Sequence, residues 1–258
     1  MLHLPARAKP AAMVLLAPPF AEELNKSRRM LAEQARALAH AGCAVLQIDL
    51  LGCGDSAGEF EDASWQAWLN DLARAAAWLR AEIDAPLVLW GVRAGCLLAS
   101  DLLTQLPLAP VGLVFWQPPV DGKSVLHQFL RLRVYGDALV KPAAGAMQSL
   151  KAELQAGASV VVAGYQLPAG LAIGLEATRF APLQREPIRG CWLELSSKTP
   201  VQSSPASTRT AAAWNDLGHH IEVRAVAGPA FWHSTEIEVA PELLPATTKA
   251  VLGLLERV

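Results

Sequence analysis

Apolar residues along the chain fall into short continuous runs separated by stretches with a single apolar stripe, and this alternation predicts most of the architecture. Ala11 to Ala17 is a buried strand closed by Pro18-Pro19, because proline cannot continue a ladder. After a charged loop, Ser27 is placed to cap a helix whose Met30, Leu31, Ala35 and Leu38 recur at helical spacing, and Gly42 supplies its stop. Cys43 to Asp49 is the next strand. The stretch from Leu50 to Gly58 that follows is too glycine-rich to be anything but a loop at that strand's carboxyl end. Ser64 opens a long helix with Trp65, Trp68, Leu69, Leu72, Ala76, Leu79 and Ile83 in one stripe. Leu87 to Trp90 and Val111 to Trp116 are further strands, with a helix beginning at Cys96 between them.

From Asp121 to about Leu183 the pattern changes to helical pieces, Ser124 to Val134, Ala143 to Gln155 and Pro168 to Thr178, with one apolar run at Ser159 to Ala163. This insertion is expected to form a helical lid over the carboxyl ends of the strands. Gln128, Arg131 and Arg133 are expected near its pocket side, and helical spacing lets at most one of the two arginines point inward. The core resumes with a strand at Gly190 to Leu195. A loop from Ser196 to Ser207 leads to a helix near Ala206 to Leu217, a strand at Ile221 to Ala227 and a closing helix at Leu243 to Val258. Regular alternation of strand and helix predicts an α/β fold in a single domain, a mostly parallel sheet with helices on both faces. Ligands of such sheets sit outside the carboxyl ends of the strands. With little chain before Ala11, the Cys43 strand is expected at a sheet edge, where it would invite pairing with a second copy as a homodimer.

One stretch carries the candidate chemistry. Leu87-Val88-Leu89-Trp90-Gly91-Val92-Arg93-Ala94-Gly95 reads as a strand, a tight turn and a helix start, with glycines two before and two after a central residue. That is the pattern of a nucleophile elbow, in which the central residue is strained and the glycines make room for the strand and helix. Ser, Cys or Asp belongs at the centre. Here it is Arg93, whose guanidinium stays protonated and accepts no hydrogen bond, so it cannot attack a carbonyl. Two cysteines border the same region: Cys53 in the glycine loop and Cys96 one turn into the elbow helix. Either could serve as a displaced nucleophile with Arg93 as the cation beside its thiolate, or be small apolar filler.

Composition narrows the field. The chain has 258 residues, 52% of them apolar, a formal charge of −2 and a pI near 6.3, so there is no global field for nucleic acid. No apolar stretch reaches membrane-spanning length and Met1 to Pro10 has no signal-peptide core, which makes the cytoplasm the expected compartment. Cys43, Cys53, Cys96 and Cys191 lie far apart without C-x-x-C spacing, and His219-His220 has no third ligand at ligand spacing. No cofactor and no metal are therefore called for.

With these stretches in view, the chain resembles the α/β-hydrolase family, and within it the subgroup called exosortase A system-associated hydrolase 2. The matching stretches are Pro18 to Arg29, Asp49 to Ser56 and Gly91 to Gly95, with weaker matches at Phe115 to Pro118, Gln128 to Arg133 and Phe231-Trp232. The resemblance implies a link to export and exopolysaccharide loci, with polysaccharide-assembly or export proteins as partners. It implies backbone donors for an oxyanion at Ala94 and at Phe20 or Ala21. The late histidine of this fold falls on His233, unless Phe231-Trp232-His233 is only a loop plugging the core. An acid after Leu195 is missing, since Ser196-Ser197-Lys198 offers no carboxylate and Glu194 alternates onto the strand's side. The antiparallel pair that usually precedes the first parallel strand looks missing or cut short. In this fold the loop carrying Glu22-Glu23 faces the elbow, so Arg93 is expected to pair with one of them, its best-matched partner being a carboxylate. Three functions then compete: an ester or thioester hydrolase or acyltransferase with a displaced nucleophile, a binding protein in which Arg93 holds an anionic or acyl ligand, and a structural partner in an assembly. The missing serine and acid favour the last two.

Overall fold

The structure is a computed structural model that describes residues 1–136, 145–181, 186–234 and 236–256. It folds into two compact units. The first, made of Met1–Ile48, Ala73–Val120 and Phe180–Val258, holds a seven-stranded sheet. In chain order its elements are β1 (Leu2–His3), β2 (Met13–Ala17), α1 (Glu22–His40), β3 (Ala44–Leu46), the greater part of α2 (Trp65–Glu82), β4 (Leu87–Val92), α3 (Ala94–Leu102) and β5 (Gly112–Trp116). The second unit, Asp49–Leu72 with Asp121–Arg179, contains the start of α2, α4 (Gly122–Gly136), α5 (Ala146–Gln155), the hairpin β6 (Val160–Val162) and β7 (Tyr165–Leu167), and α6 (Ala169–Ala177). The chain then returns to the first unit with β8 (Arg189–Ser196), α7 (Pro205–Asp216), β9 (His220–Ala227) and α8 (Leu243–Leu255).

The sheet order is β1-β3-β2-β4-β5-β8-β9, parallel throughout except for β1. All six expected strands share this sheet. The Cys43 strand is not its edge, however. Leu2 and His3 pair antiparallel with Leu46 and Val45, so one antiparallel strand does precede the first parallel one and covers β3. A strand of two residues is too short a run to show periodicity. Ser27 does not cap α1 either. It lies inside the helix, fully buried, its hydroxyl donating to the Glu23 carbonyl at 2.6 Å. The helix starts five residues earlier, with Glu22 and Glu23 in its first turn where the helix dipole favours negative charge.

β2, β4 and β5 are buried along their whole length, which is why they read as continuous apolar runs instead of alternating ones. On one face, Val14, Leu16, Val88, Trp90, Val114, Trp116 and Leu193 pack with Leu31, Ala35 and Leu38 of α1 and Val251 and Leu254 of α8. Trp116 is fixed there by its indole N–H donating to Thr247 Oγ1 at 2.8 Å. On the opposite side, Phe180 stacks with Trp192 and Trp214 at centroid distances of 4.9 and 5.6 Å.

In the second unit, Gly122 and Gly174 are close-approach positions: a Cβ at Gly122 would fall 1.7 Å from the Leu175 carbonyl oxygen, and one at Gly174 2.4 Å from Trp65 Cβ. Gln128, Arg131 and Arg133 are all exposed on α4, and Arg133 donates to the Val161 carbonyl at 2.7 Å. Of the expected helical limits, Ala143, Leu183 and Val258 lie outside the described residues. Among the described residues no helix is long and apolar enough to cross a membrane.

Candidate anion site at the strand ends

β4 ends on Val92, and the chain then turns sharply into α3 through Arg93, at φ 53° and ψ −123°. Two backbone hydrogen bonds lock the turn: the Arg93 N–H donates to the Trp116 carbonyl and its own carbonyl accepts from the Cys96 N–H, both at 2.9 Å. The flanking glycines are sterically required. A Cβ at Gly91 would lie 2.8 Å from Cys96 Cα, and one at Gly95 only 2.0 Å from the Ala17 carbonyl oxygen. This is the elbow anticipated from sequence, with an arginine at its tip.

Two more residues with side chains take the same kind of backbone nearby. Ala21, after β2, has φ 48° and ψ −123°, and Gln117, after β5, has φ 47°. Strained non-glycine residues therefore follow three adjacent strands, β2, β4 and β5, at their carboxyl ends. Such strain costs about 1–3 kcal/mol per residue and persists only where the surroundings over-determine it, most often at functional sites.

The Arg93 side chain folds onto Glu23. Nε lies 3.2 and 3.3 Å from the two carboxylate oxygens and Nη2 3.0 Å from Oε1, a two-pronged contact between side chains only 12% and 9% exposed. Of the two expected partners it is Glu23, one turn position inward, that makes the pair. The guanidinium also stacks over Trp232 at 5.2 Å and directs Nη1 toward the Gln117 carbonyl at 3.5 Å. Burial pushes the Glu23 carboxyl up, and Arg93 pulls it back toward the charged form. Glu22 is pushed up to about 7, first by burial, and its Oε2 is buried without a hydrogen-bond partner among the described residues. His233 is half-exposed, with Nε2 3.8 Å from Glu23 Oε1. Burial of its ring, then Arg93 and Lys26, hold it down to about 4, so it is neutral at pH 7.

Behind Arg93 lies a second network that the sequence reading missed. The Gln117 amide donates to Glu194 Oε1 at 3.3 Å and accepts from the Leu195 N–H at 2.9 Å, while Glu194 Oε2 accepts from the Ser204 N–H at 2.8 Å. Glu194 thus spends both oxygens tying the end of β5 to the loop after β8. The sequence signals for Gln117 are its place between a strand and Pro118-Pro119 and its part in the weak Phe115 to Pro118 match.

The remaining candidates separate. Phe20, Ala21 and Ala94 are buried at the same strand ends, and as the first residue of α3 Ala94 has an N–H with no intrahelical acceptor. Cys96 is wholly buried, its thiol directed at the Trp116 carbonyl at 3.6 Å and pushed well above its ordinary value by burial. A neutral thiol in a closed core fits the alternative of small apolar filler. Cys53 lies half-buried in the Leu50–Gly58 loop of the second unit. Among the described residues no three His, Cys, Asp or Glu side chains gather as metal ligands. A cavity of about 1260 Å³ opens beside Gly190, Ile221 and Lys249, at the amino ends of β8 and β9, and so at the opposite end of the sheet from Arg93.

Comparison with solved structures returns esterases and lipases. Est1E from Butyrivibrio proteoclasticus with bound ferulic acid superposes with a TM-score of 0.68 at 13% identity, covering 99% of this chain and 94% of that one. A thermostable carboxyl esterase from Bacillus coagulans gives 0.65 at 15% identity over 98% and 93%. XC6422 from Xanthomonas campestris, an α/β serine hydrolase without a lid, gives 0.56 at 15% over 99% and 87%. At these identities the likeness is one of fold. No curated protein matches the chain. The profile of the family described as serine aminopeptidase, S33 matches residues 8–166, well over half the length. With its parallel sheet, its elbow and this match, the chain belongs to that family of α/β-hydrolases.

Proposed function

We propose that this α/β-hydrolase-fold protein binds a small anion, a carboxylate or phosphate, at Arg93 and does not run a Ser-His-Asp triad. The observation that carries the reading is the guanidinium at the elbow tip, seated on Trp232 and neutralised by a carboxylate from its own chain. A guanidinium cannot be acylated, but its fork matches a carboxylate or phosphate, and Glu23 is the internal anion that a ligand would displace. The backbone N–H groups of Ala94 and Ala21 are suited to support the same charge, and neutral His233 adds a donor or acceptor at the exposed side. The exosortase-type resemblance supports a role beside export or exopolysaccharide assembly, with Arg93 reading an acidic ligand there.

Family membership supports a second reading, an ester or thioester hydrolase or acyltransferase with a displaced nucleophile, for which Cys53 is the better cysteine because Cys96 is closed off. Titration calorimetry with acetate, ferulate and inorganic phosphate separates the two. The binding reading expects heat with at least one of them, lost in Arg93→Gln, and no turnover of short acyl esters. Ester turnover that survives Arg93→Gln and disappears in Cys53→Ala would establish the second reading in its place.

A further inference from the structure

The two edges of the sheet are finished differently. One ends in the two-residue β1, the other in the eight-residue β9. In a parallel pair, alternate residues bond to the neighbouring strand and the others turn their N–H and C=O groups away. His220 and Gly228 donate to the carbonyls of Ile188 and Ser196 on the β8 side, so the even positions face β8 and Ile221, Val223, Ala225 and Ala227 face outward. Ile221 is already taken: the Asn215 side chain accepts from its N–H at 2.6 Å and donates to its carbonyl at 3.0 Å. The outward groups of Val223, Ala225 and Ala227 have no partner among the described residues. The strand carries no proline or lysine, and its register with β8 is continuous, so the charges of Glu222 and Arg224 are the one usual edge-blunting device in this stretch.

We infer that β9 is a homodimer edge, two copies pairing antiparallel about a two-fold axis through Ala225. Antiparallel pairing sets outward residues opposite outward residues, and the open run is symmetrical about Ala225. Val223 then meets Ala227 of the second copy, Ala225 meets its own copy, and every open N–H finds a carbonyl. The neighbouring register, Val223 opposite Ala225, would set Arg224 against itself, and like charges directly opposite destabilise a pair. The register centred on Val223 would bring Glu222 opposite Arg224, but it needs the Ile221 groups that Asn215 holds. The register shifted the other way, Ala225 opposite Ala227, would leave Val223 opposite Pro229 and unpaired, so the Ala225-centred arrangement alone pairs all three open positions without either cost. It is isologous and closes on itself, which selects a second copy of this chain over an open-ended assembly.

Sedimentation equilibrium of the full chain should give twice the monomer mass, with monomer appearing on dilution. Ala225→Pro removes an N–H that nothing in the same chain uses, at an edge position proline tolerates, and should halve the mass while the circular dichroism stays unchanged. The register is read separately by Ala225→Cys in a Cys53→Ser background. Facing residues of a hydrogen-bonded pair have Cα atoms about 5.5 Å apart, within disulfide reach, so oxidation should give a covalent dimer, and Val223→Cys should not. Monomer at every concentration overturns the inference, as does a dimer indifferent to Ala225→Pro. Cross-linking at 223 instead of 225 overturns the register, and the cysteine pair decides the question should the proline variant not fold.

Discussion

Left-handed backbone is used in two ways in this molecule. At Gly157 and Gly218, which follow α5 and α7, φ is +87° and nothing lies within 4 Å of where a Cβ would be. Glycine is there only because the helix ends need that conformation. At the ends of β2, β4 and β5 the chain adopts positive φ with Ala21, Arg93 and Gln117, side chains included. Ala163 is a fourth such residue, but it sits with Gly164 in the β6–β7 hairpin, where two positive-φ positions in succession are the ordinary requirement of the turn. The strand ends are different: there the conformation is kept against a cost, by residues whose side chains or neighbours converge on the Arg93–Glu23 pair. Economy at the helix ends and strain at the strand ends distinguish structural turns from a built site.

That contrast can be broken by mutation. Glu23→Ala should have the largest effect, a loss of about 3–5 kcal/mol in urea unfolding, because it strands a buried guanidinium. A loss near zero would mean that the pair is held by solvent and is no buried site. Next come the turns. Gly218→Ala should destabilise by about 1–2 kcal/mol from strain alone, there being no atom nearby to clash with. Ala21→Gly should do the opposite, gaining about 1 kcal/mol as strain relief outweighs the looser unfolded chain. If both substitutions move stability the same way, the distinction between the two kinds of turn fails.

The smallest effect is a pH dependence. Glu22 is protonated in the fold up to about pH 7 but ionised above 4.5 when unfolded, so the folded state binds the extra proton between those values. Its contribution is present below pH 4.5 and is lost as the pH rises through about 7. His233, lowered from 6.5 to about 4, works the other way and removes stability as the pH falls through that range. The two slopes oppose each other between about pH 4.5 and 6.5, so Glu22→Gln should uncover the His233 limb and make the melting temperature rise more steeply with pH across that range. An unchanged profile would place the Glu22 carboxyl in solvent.

The sequence reading and the structure diverge in an instructive order. β4 and β5 came out within two residues of their observed ends because a strand buried on both faces is a continuous apolar run, and the elbow was visible because its glycines are demanded by contacts local to the turn. Cys96 stays open between nucleophile and filler in the sequence for the opposite reason. Its distance along the chain from Arg93 is short, but whether a thiol one turn into a helix faces a pocket or the core depends on which face of α3 the sheet covers. Gln117 and Glu194 went unread as a pair because they meet across 77 positions of sequence.

By itself, then, the sequence determined the alternation of strands and helices, the elbow, the arginine at its tip and the need for a carboxylate beside it. Those features follow from periodicity, from proline and glycine geometry, and from the chemistry of single side chains, all of which act within a few residues. Only the tertiary structure decided that Glu23 and not Glu22 reaches Arg93, 70 residues away, that Trp232 lies beneath the guanidinium, and that β1 covers one sheet edge while β9 leaves the other open. Adjacent carboxylates on a helix point about 100° apart, and which of them meets a buried cation is settled by how the helix packs, something no local pattern encodes.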